Sequence, residues 1–248
     1  MAMEQQAPTA TRRPVVETLK DGTKVVMRFD PHQRLQHGLM ALSFILLVVT
    51  GWPLSTHGVG ASMTLVDLMG GMEKVSYVHR VAAVGLILAA VYHLFYLGVL
   101  LTQRRLPLSM VPTPEDGRQL VQNFSFFFGI RKEKPKFARY SYFEKFDYWA
   151  VFWGVVIMVG SGLVRWFPNI SMQLAPEWLY DVAFYAHADE AVLASLAIFI
   201  WHFYNVHLRP GIFPMSWVFL NGRLTLEELR HEHRAEYDAL VRREGGED

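Results

Sequence analysis

A helix needs about 20 apolar residues to cross a bilayer core, and four stretches of this chain reach that length: about 35–54, 75–101, 148–167 and 182–208. The first carries no charge after Arg34, and the second holds only Arg80. The third has Arg165 near its end, and the fourth has Asp189 and Glu190 near its start. One such stretch could be the buried helix of a soluble protein. Four of them in 248 residues, 52% of which are hydrophobic, exceed what a single soluble core can cover. The expected fold is therefore all-α: an integral membrane four-helix bundle. The implied organisation is an N-terminal segment over 1–28, a membrane domain over 29–215 and a C-terminal tail over 216–248.

Lysine and arginine set the orientation. Arg12, Arg13, Lys20, Lys24, Arg28 and Arg34 precede the first span, and nine more lie between Arg104 and Lys145. Arg209, Arg223, Arg230, Arg234, Arg242 and Arg243 follow the fourth span. Loop 55–74 holds only Lys74, and loop 168–181 holds none. The positive-inside rule then makes both termini and the long middle loop cytoplasmic, in a multi-pass protein of a bacterial inner membrane. The first 28 residues lack the apolar core of a signal peptide, so the first span is expected to act as an uncleaved insertion signal. Trp52, Trp166, Trp178 and Tyr180 lie at the outer ends, where interface aromatics belong. The stretch 122–130 (QNFSFFFGI) is apolar enough to lie on the membrane surface or on a partner. Residues 224–243 read as one charged helix, with His231 and His233 as solvated surface residues.

Six histidines occupy the ends of these spans: His37 in the first, His79 and His93 in the second, His187, His202 and His207 in the fourth. An imidazole is costly in a membrane helix and marks a functional site. Facing pairs of imidazoles are also the usual axial ligands of b-type haem. The chain contains no cysteine, which excludes covalent c-type haem and cysteine-ligated iron–sulfur clusters within it. His79 and His93 are 14 residues apart, about 21 Å and about 40° of helix. His187 and His202 are 15 apart, about 22 Å and about 60°. Two levels result: His79 with His187 outside, and His202 with His37 or His93 nearer the cytoplasm. His207 adds a further inner candidate, so two haems are expected and a third is left open. His57, in the outer loop, reads as an ordinary polar residue.

Gly38 and Gly51 on the first span share a 13-residue spacing with Gly85 and Gly98 on the second, and Gly154, Gly160 and Gly162 lie on the third. These glycines would admit either a flat macrocycle or a neighbouring helix. Arg80 and Arg165 are placed either to pair with haem carboxylates or to snorkel to headgroups.

Arg34-Leu-Gln-His37, Val78-His79-Arg80 and the two spaced histidines of the fourth span resemble the formate dehydrogenase gamma-subunit type of cytochrome b, over about residues 28–240. The runs 142–149 (YFEKFDYW) and 201–207 (WHFYNVH), followed by Pro210 and 213–215 (FPM), resemble one branch of that family. The resemblance implies a four-helix di-haem subunit that anchors a redox complex and exchanges electrons with quinone. By position it implies His79 and His187 at the outer haem and His37 and His202 at the inner one. The chain departs from simpler gamma subunits in having His93 and His207. Expected partners are a redox subunit (iron–sulfur, molybdenum enzyme, hydrogenase or multihaem cytochrome c), quinone or quinol, and lipid, with no nucleic acid. Two other readings are a haem-bearing structural anchor without a quinone site and a metal-ion transporter. The second is disfavoured by the lack of visible repeats or broken helices.

Overall fold

The computed structural model describes residues 16–56 and 59–244. His57, Arg12, Arg13 and most of segment 1–28 lie outside the described residues. Two compact units emerge from the backbone contacts. Of the described residues, one gathers those within 32–95 and 150–216; the other gathers those within 16–31, 96–149 and 217–244.

Four helices are long and apolar enough to span a membrane: α1 (Pro31–Thr56), α3 (Met72–Thr102), α5 (Tyr142–Trp166) and the helix over Glu177–Leu208. The last is α7, regular over Glu177–Leu196 and wound as π-helix over Ala197–His202 and Tyr204–Leu208. Short helices α2 (Ala61–Met69) and α6 (Pro168–Leu174) fill the two loops that carry few cations. Each long helix begins several residues before its apolar stretch. Hydropathy reports only the part immersed in hydrocarbon, whereas backbone hydrogen bonding continues through polar first turns.

The polarity of these helices is inverted relative to a soluble bundle. Leu42, Leu88, Val192 and Ile200 are each at least 60% exposed, an outward apolar surface suited to lipid. Many of the buried positions are small or polar, and a set of them recurs every seven residues: Gln36, Ser43 and Thr50 on α1, Val75, Ala82 and Ala89 on α3 (where Leu86 is buried as well), Gly154 and Ser161 on α5. A seven-residue repeat keeps one face toward the bundle, and small residues let backbones approach. Gly85 illustrates this, since a Cβ there would stand 2.8 Å from Ser43 Oγ.

The other unit holds a three-stranded antiparallel sheet of β1 (Val16–Thr18), β2 (Lys24–Met27) and β3 (Arg223–Thr225). Val16 pairs with Val26, and Val26 with Leu224. Helix α8 (Val218–Asn221) leads into β3. Helices α9 (Leu226–Glu232) and α10 (Arg234–Glu244) follow it. Val26, Val218, Leu224, Leu229 and Leu240 form its core. The tail is therefore two helices and a strand rather than the single helix expected over 224–243.

The break falls at His233, which is 7% exposed and not the solvated residue its spacing suggested. Its Nδ1 donates to Ala138 O at 2.8 Å, so Nε2 is left as the acceptor for Arg28 Nη2 at 3.1 Å. Burial, then the Arg28 charge, hold the His233 pKa below its ordinary 6.5. Arg28, itself buried, also pairs with Glu236 at 2.6 Å, lies 3.6 Å from Glu144 and donates to Arg139 O. His231, by contrast, is exposed.

Helix α4 (Pro114–Phe127) is tied to α5 by Lys145 Nζ on Asp116 Oδ2 at 2.8 Å. Its run ending in Phe124, Phe127, Phe128 and Ile130 is exposed.

Candidate functional site

All six span histidines belong to the unit of residues 32–95 and 150–216. His79 on α3 and His187 on α7 face each other, with ring centres 6.4 Å apart and planes at 68°. Each ring is seated in the same way by a different helix. On α1, Thr50 Oγ1 lies 2.9 Å from His79 Nδ1, and the next residue, Gly51, would bring a Cβ within 3.4 Å of His79 Cε1. On α5, Ser161 Oγ lies 3.0 Å from His187 Nδ1, and Gly162 would bring a Cβ within 3.1 Å of His187 Cε1. A hydroxyl followed by glycine thus holds each imidazole edge against backbone.

At the other level His37 on α1 and His202 on α7 stand with ring centres 6.4 Å apart and planes at 36°. His93 is engaged elsewhere: its Nδ1 donates to Gln36 Oε1 at 2.9 Å. His207 packs on Phe203, centre to centre 4.4 Å. Of the two inner partners left open by the sequence, the structure brings His37 to His202.

The π-helix accounts for the spacing on α7. Fifteen residues of regular helix would turn His202 about 60° from His187. A π turn accommodates an extra residue, so this segment advances about as far as fourteen α-helical residues. The straight-helix angle between His187 and His202 read from the sequence therefore does not apply, because the winding changes at Ala197.

Charged side chains flank the outer pair. Arg165 lies over the Phe184 ring at 4.7 Å, and its Nε is buried without a hydrogen-bond partner among the described residues. Arg80 lies 5.7 Å from the Trp166 ring. Glu190 Oε1 occupies the space a Gly154 side chain would fill, 2.8 Å from its Cβ position, while Asp189 is exposed. Thr50, Ser161 and Gln36 were not picked out from the sequence. A hydroxyl directly before a span glycine is the signal that could have found the first two.

The fit to haem can be tested on the spacing. Metal–imidazole bonds of about 2 Å, plus about 1.1 Å from ligating nitrogen to ring centre, would set two imidazoles on one iron about 6.2 Å apart centre to centre. Both pairs match at 6.4 Å. Among the described residues no three His, Cys, Asp or Glu side chains gather as a metal cage. Two neighbouring imidazoles at each level are the residues that would hold a b-type haem.

Four membrane helices carrying facing imidazole pairs define a class, the membrane b-type cytochromes, whose cofactor is b-type haem. A family model described as prokaryotic cytochrome b561 matches residues 28–213, and the chain belongs to that family. No curated protein matches the chain.

Proposed function

We propose that this protein is the membrane subunit of a respiratory redox complex, carrying electrons between a partner redox subunit and the quinone pool. Two haems b would be held, one by His79 and His187 and one by His37 and His202. The observation that carries this reading is the recurrence of one ring separation, 6.4 Å, at two levels of a single bundle. When bound, the haem iron supplies reversible one-electron exchange.

The chain's own residues do the rest. Imidazoles from α3 and α7, and from α1 and α7, fix the two sites on separate levels. The glycines leave room beside the rings, and Arg165, with a buried Nε lacking a partner, offers positive charge to a haem carboxylate. Gln36 is 5% exposed, its oxygen is taken by His93, and its Nε2 has no partner among the described residues. That amide is a donor for a quinone carbonyl or a haem carboxylate at the inner level. The membrane domain is residues 29–215, flanked by the 1–28 and 216–248 segments, with both termini cytoplasmic by the distribution of Lys and Arg. The functional type is that of formate dehydrogenase gamma subunits. The partner is an iron–sulfur, molybdenum, hydrogenase or multihaem cytochrome c subunit.

The test is haem per polypeptide in His37→Ala, His79→Ala, His187→Ala and His202→Ala, each made alone. Each is expected to lose one haem of two, while His93→Ala and His207→Ala keep both. Full haem content in both His79→Ala and His187→Ala would overturn the outer assignment. A full complement of haem that no soluble quinol analogue can reduce would leave a structural anchor instead.

A further inference from the structure

Each of the two hydroxyls beside the outer imidazoles carries a single proton, and the geometry shows where it goes. Thr50 Oγ1 donates to Leu46 O at 2.6 Å, and Ser161 Oγ donates to Ile157 O at 2.6 Å. Both bonds run back to the carbonyl four residues earlier on the same helix, a familiar arrangement for Ser and Thr in spans. With its proton directed there, each oxygen meets the ring nitrogen only as an acceptor. Nδ1 of His79, 2.9 Å away, and Nδ1 of His187, 3.0 Å away, must then be the protonated nitrogens. A neutral imidazole has one N–H, so Nε2 keeps its lone pair in both rings. The two hydroxyls are buried, Thr50 at 1% and Ser161 at 8% exposure, so water does not compete for these bonds.

Resting on the haem reading above, we propose that Thr50 and Ser161 are positioning residues. They hold His79 and His187 in the tautomer whose Nε2 can ligate iron, and they lower the redox potential of the outer haem. An acceptor on Nδ1–H raises the basicity of the opposite nitrogen, and a more basic axial ligand favours ferric over ferrous iron. A hydroxyl that already donates is polarised into a better acceptor, which strengthens the effect. The repetition is the argument: two different helices present the same hydroxyl–glycine pair to the two rings of one site.

The experiment uses the full chain in nanodiscs, loaded with haem. Thr50→Val and Ser161→Ala, singly and combined, are compared with the hydroxyl-preserving Thr50→Ser. Haem per chain and the midpoint potential of each haem are measured by redox titration. The double variant is expected to keep two haems and to raise the outer potential only. Loss of such an outer-shell partner typically costs at least about tenfold in affinity. If that loss falls on the ferric form, a tenfold change corresponds to about 59 mV for one electron. Thr50→Ser is expected to titrate as the parent does. Two haems with an unmoved outer potential in the double variant would overturn the proposal, as would a Thr50→Ser shift equal to that of Thr50→Val. Retention of both haems by His79→Ala marks failure of the underlying haem assignment instead.

Discussion

The glycines beside the outer imidazoles predict an asymmetry that a simple alanine exchange can measure. Ala is favoured over Gly in a helix interior by about 1 kcal/mol, so both Gly51→Ala and Gly162→Ala begin with a gain. At Gly51 the added methyl meets His79 Cε1 at 3.4 Å and Nδ1 at 3.9 Å, an ordinary van der Waals contact. At Gly162 it meets His187 Cε1 at 3.1 Å and Nδ1 at 3.5 Å. There the ring must move by a few tenths of an ångström, against its tether to Ser161. Overpacking of this kind costs about 1–3 kcal/mol. Gly51→Ala should thus be neutral or slightly stabilising, and Gly162→Ala should fall below it by about 1–3 kcal/mol, roughly 5- to 150-fold in an equilibrium constant. Thermal unfolding in nanodiscs reads the stability, and transfer of haem to excess apoprotein acceptor reads retention at the outer site. Equal behaviour of the two variants within about 0.5 kcal/mol, the usual scatter for neutral substitutions, would refute the packing argument.

Three other outcomes follow from the second unit. Arg28→Met removes the nearer of the two cations on Glu236, leaving Arg139 at 3.3 Å, and takes a donor from His233, so it should cost about 1–3 kcal/mol in unfolding by denaturant. Lys136→Met, at an exposed 3.8 Å pair with Asp238, should cost about 0–1 kcal/mol; equal losses would refute the ranking. The lowered pKa of His233 means that the unfolded chain binds a proton the folded one excludes. Its contribution is complete above 6.5 and is lost as pH falls from there toward the lowered value. His233→Asn should flatten that acid limb of a stability–pH profile, and an unchanged limb would refute the assignment. Finally, a fluorophore on Phe127→Cys, the only thiol in the chain, should be quenched by brominated lipid; unquenched emission would show that the α4 face is covered by something other than lipid.

Much of the fold was legible because lipid imposes a simple pattern: four apolar runs gave four spanning helices, and Arg34, Arg80 and Arg165 did not interrupt them. The histidine pairs were legible only in part. Helical rise set His79 level with His187 and left His37 and His93 open; the resemblance favoured His37, and the fold sets that ring beside His202 while Gln36 engages His93. Local periodicity does not encode that contact. The π turns of α7 were invisible because Ala197–His202 reads as ordinary helix, and an extra residue per turn leaves no mark on composition. The contact of His233 with Arg28 and the pairing of β2 with β3 join residues about 200 positions apart, whereas β1 pairs locally with β2. Their charged surroundings look solvated in sequence, since Arg28, Glu144 and Glu236 neutralise one another only once folded.

The small sheet has a topological consequence. Backbone pairing of Val25 with Thr225 is possible only if both segments lie on one side of the bilayer, so the chain between them crosses an even number of times. The same parity applies midway, because Arg139 bonds to Arg28 O at 2.6 Å and Phe137 O accepts from Ala235 N at 3.0 Å. Two crossings must separate Arg28 from Arg139, and two more must separate Lys145 from Arg234. The last strand can therefore pair with β2 only when the number of crossings between them is even. If any one of the four spans failed to cross, β3 would emerge on the wrong face, and β2 would be left with an open edge.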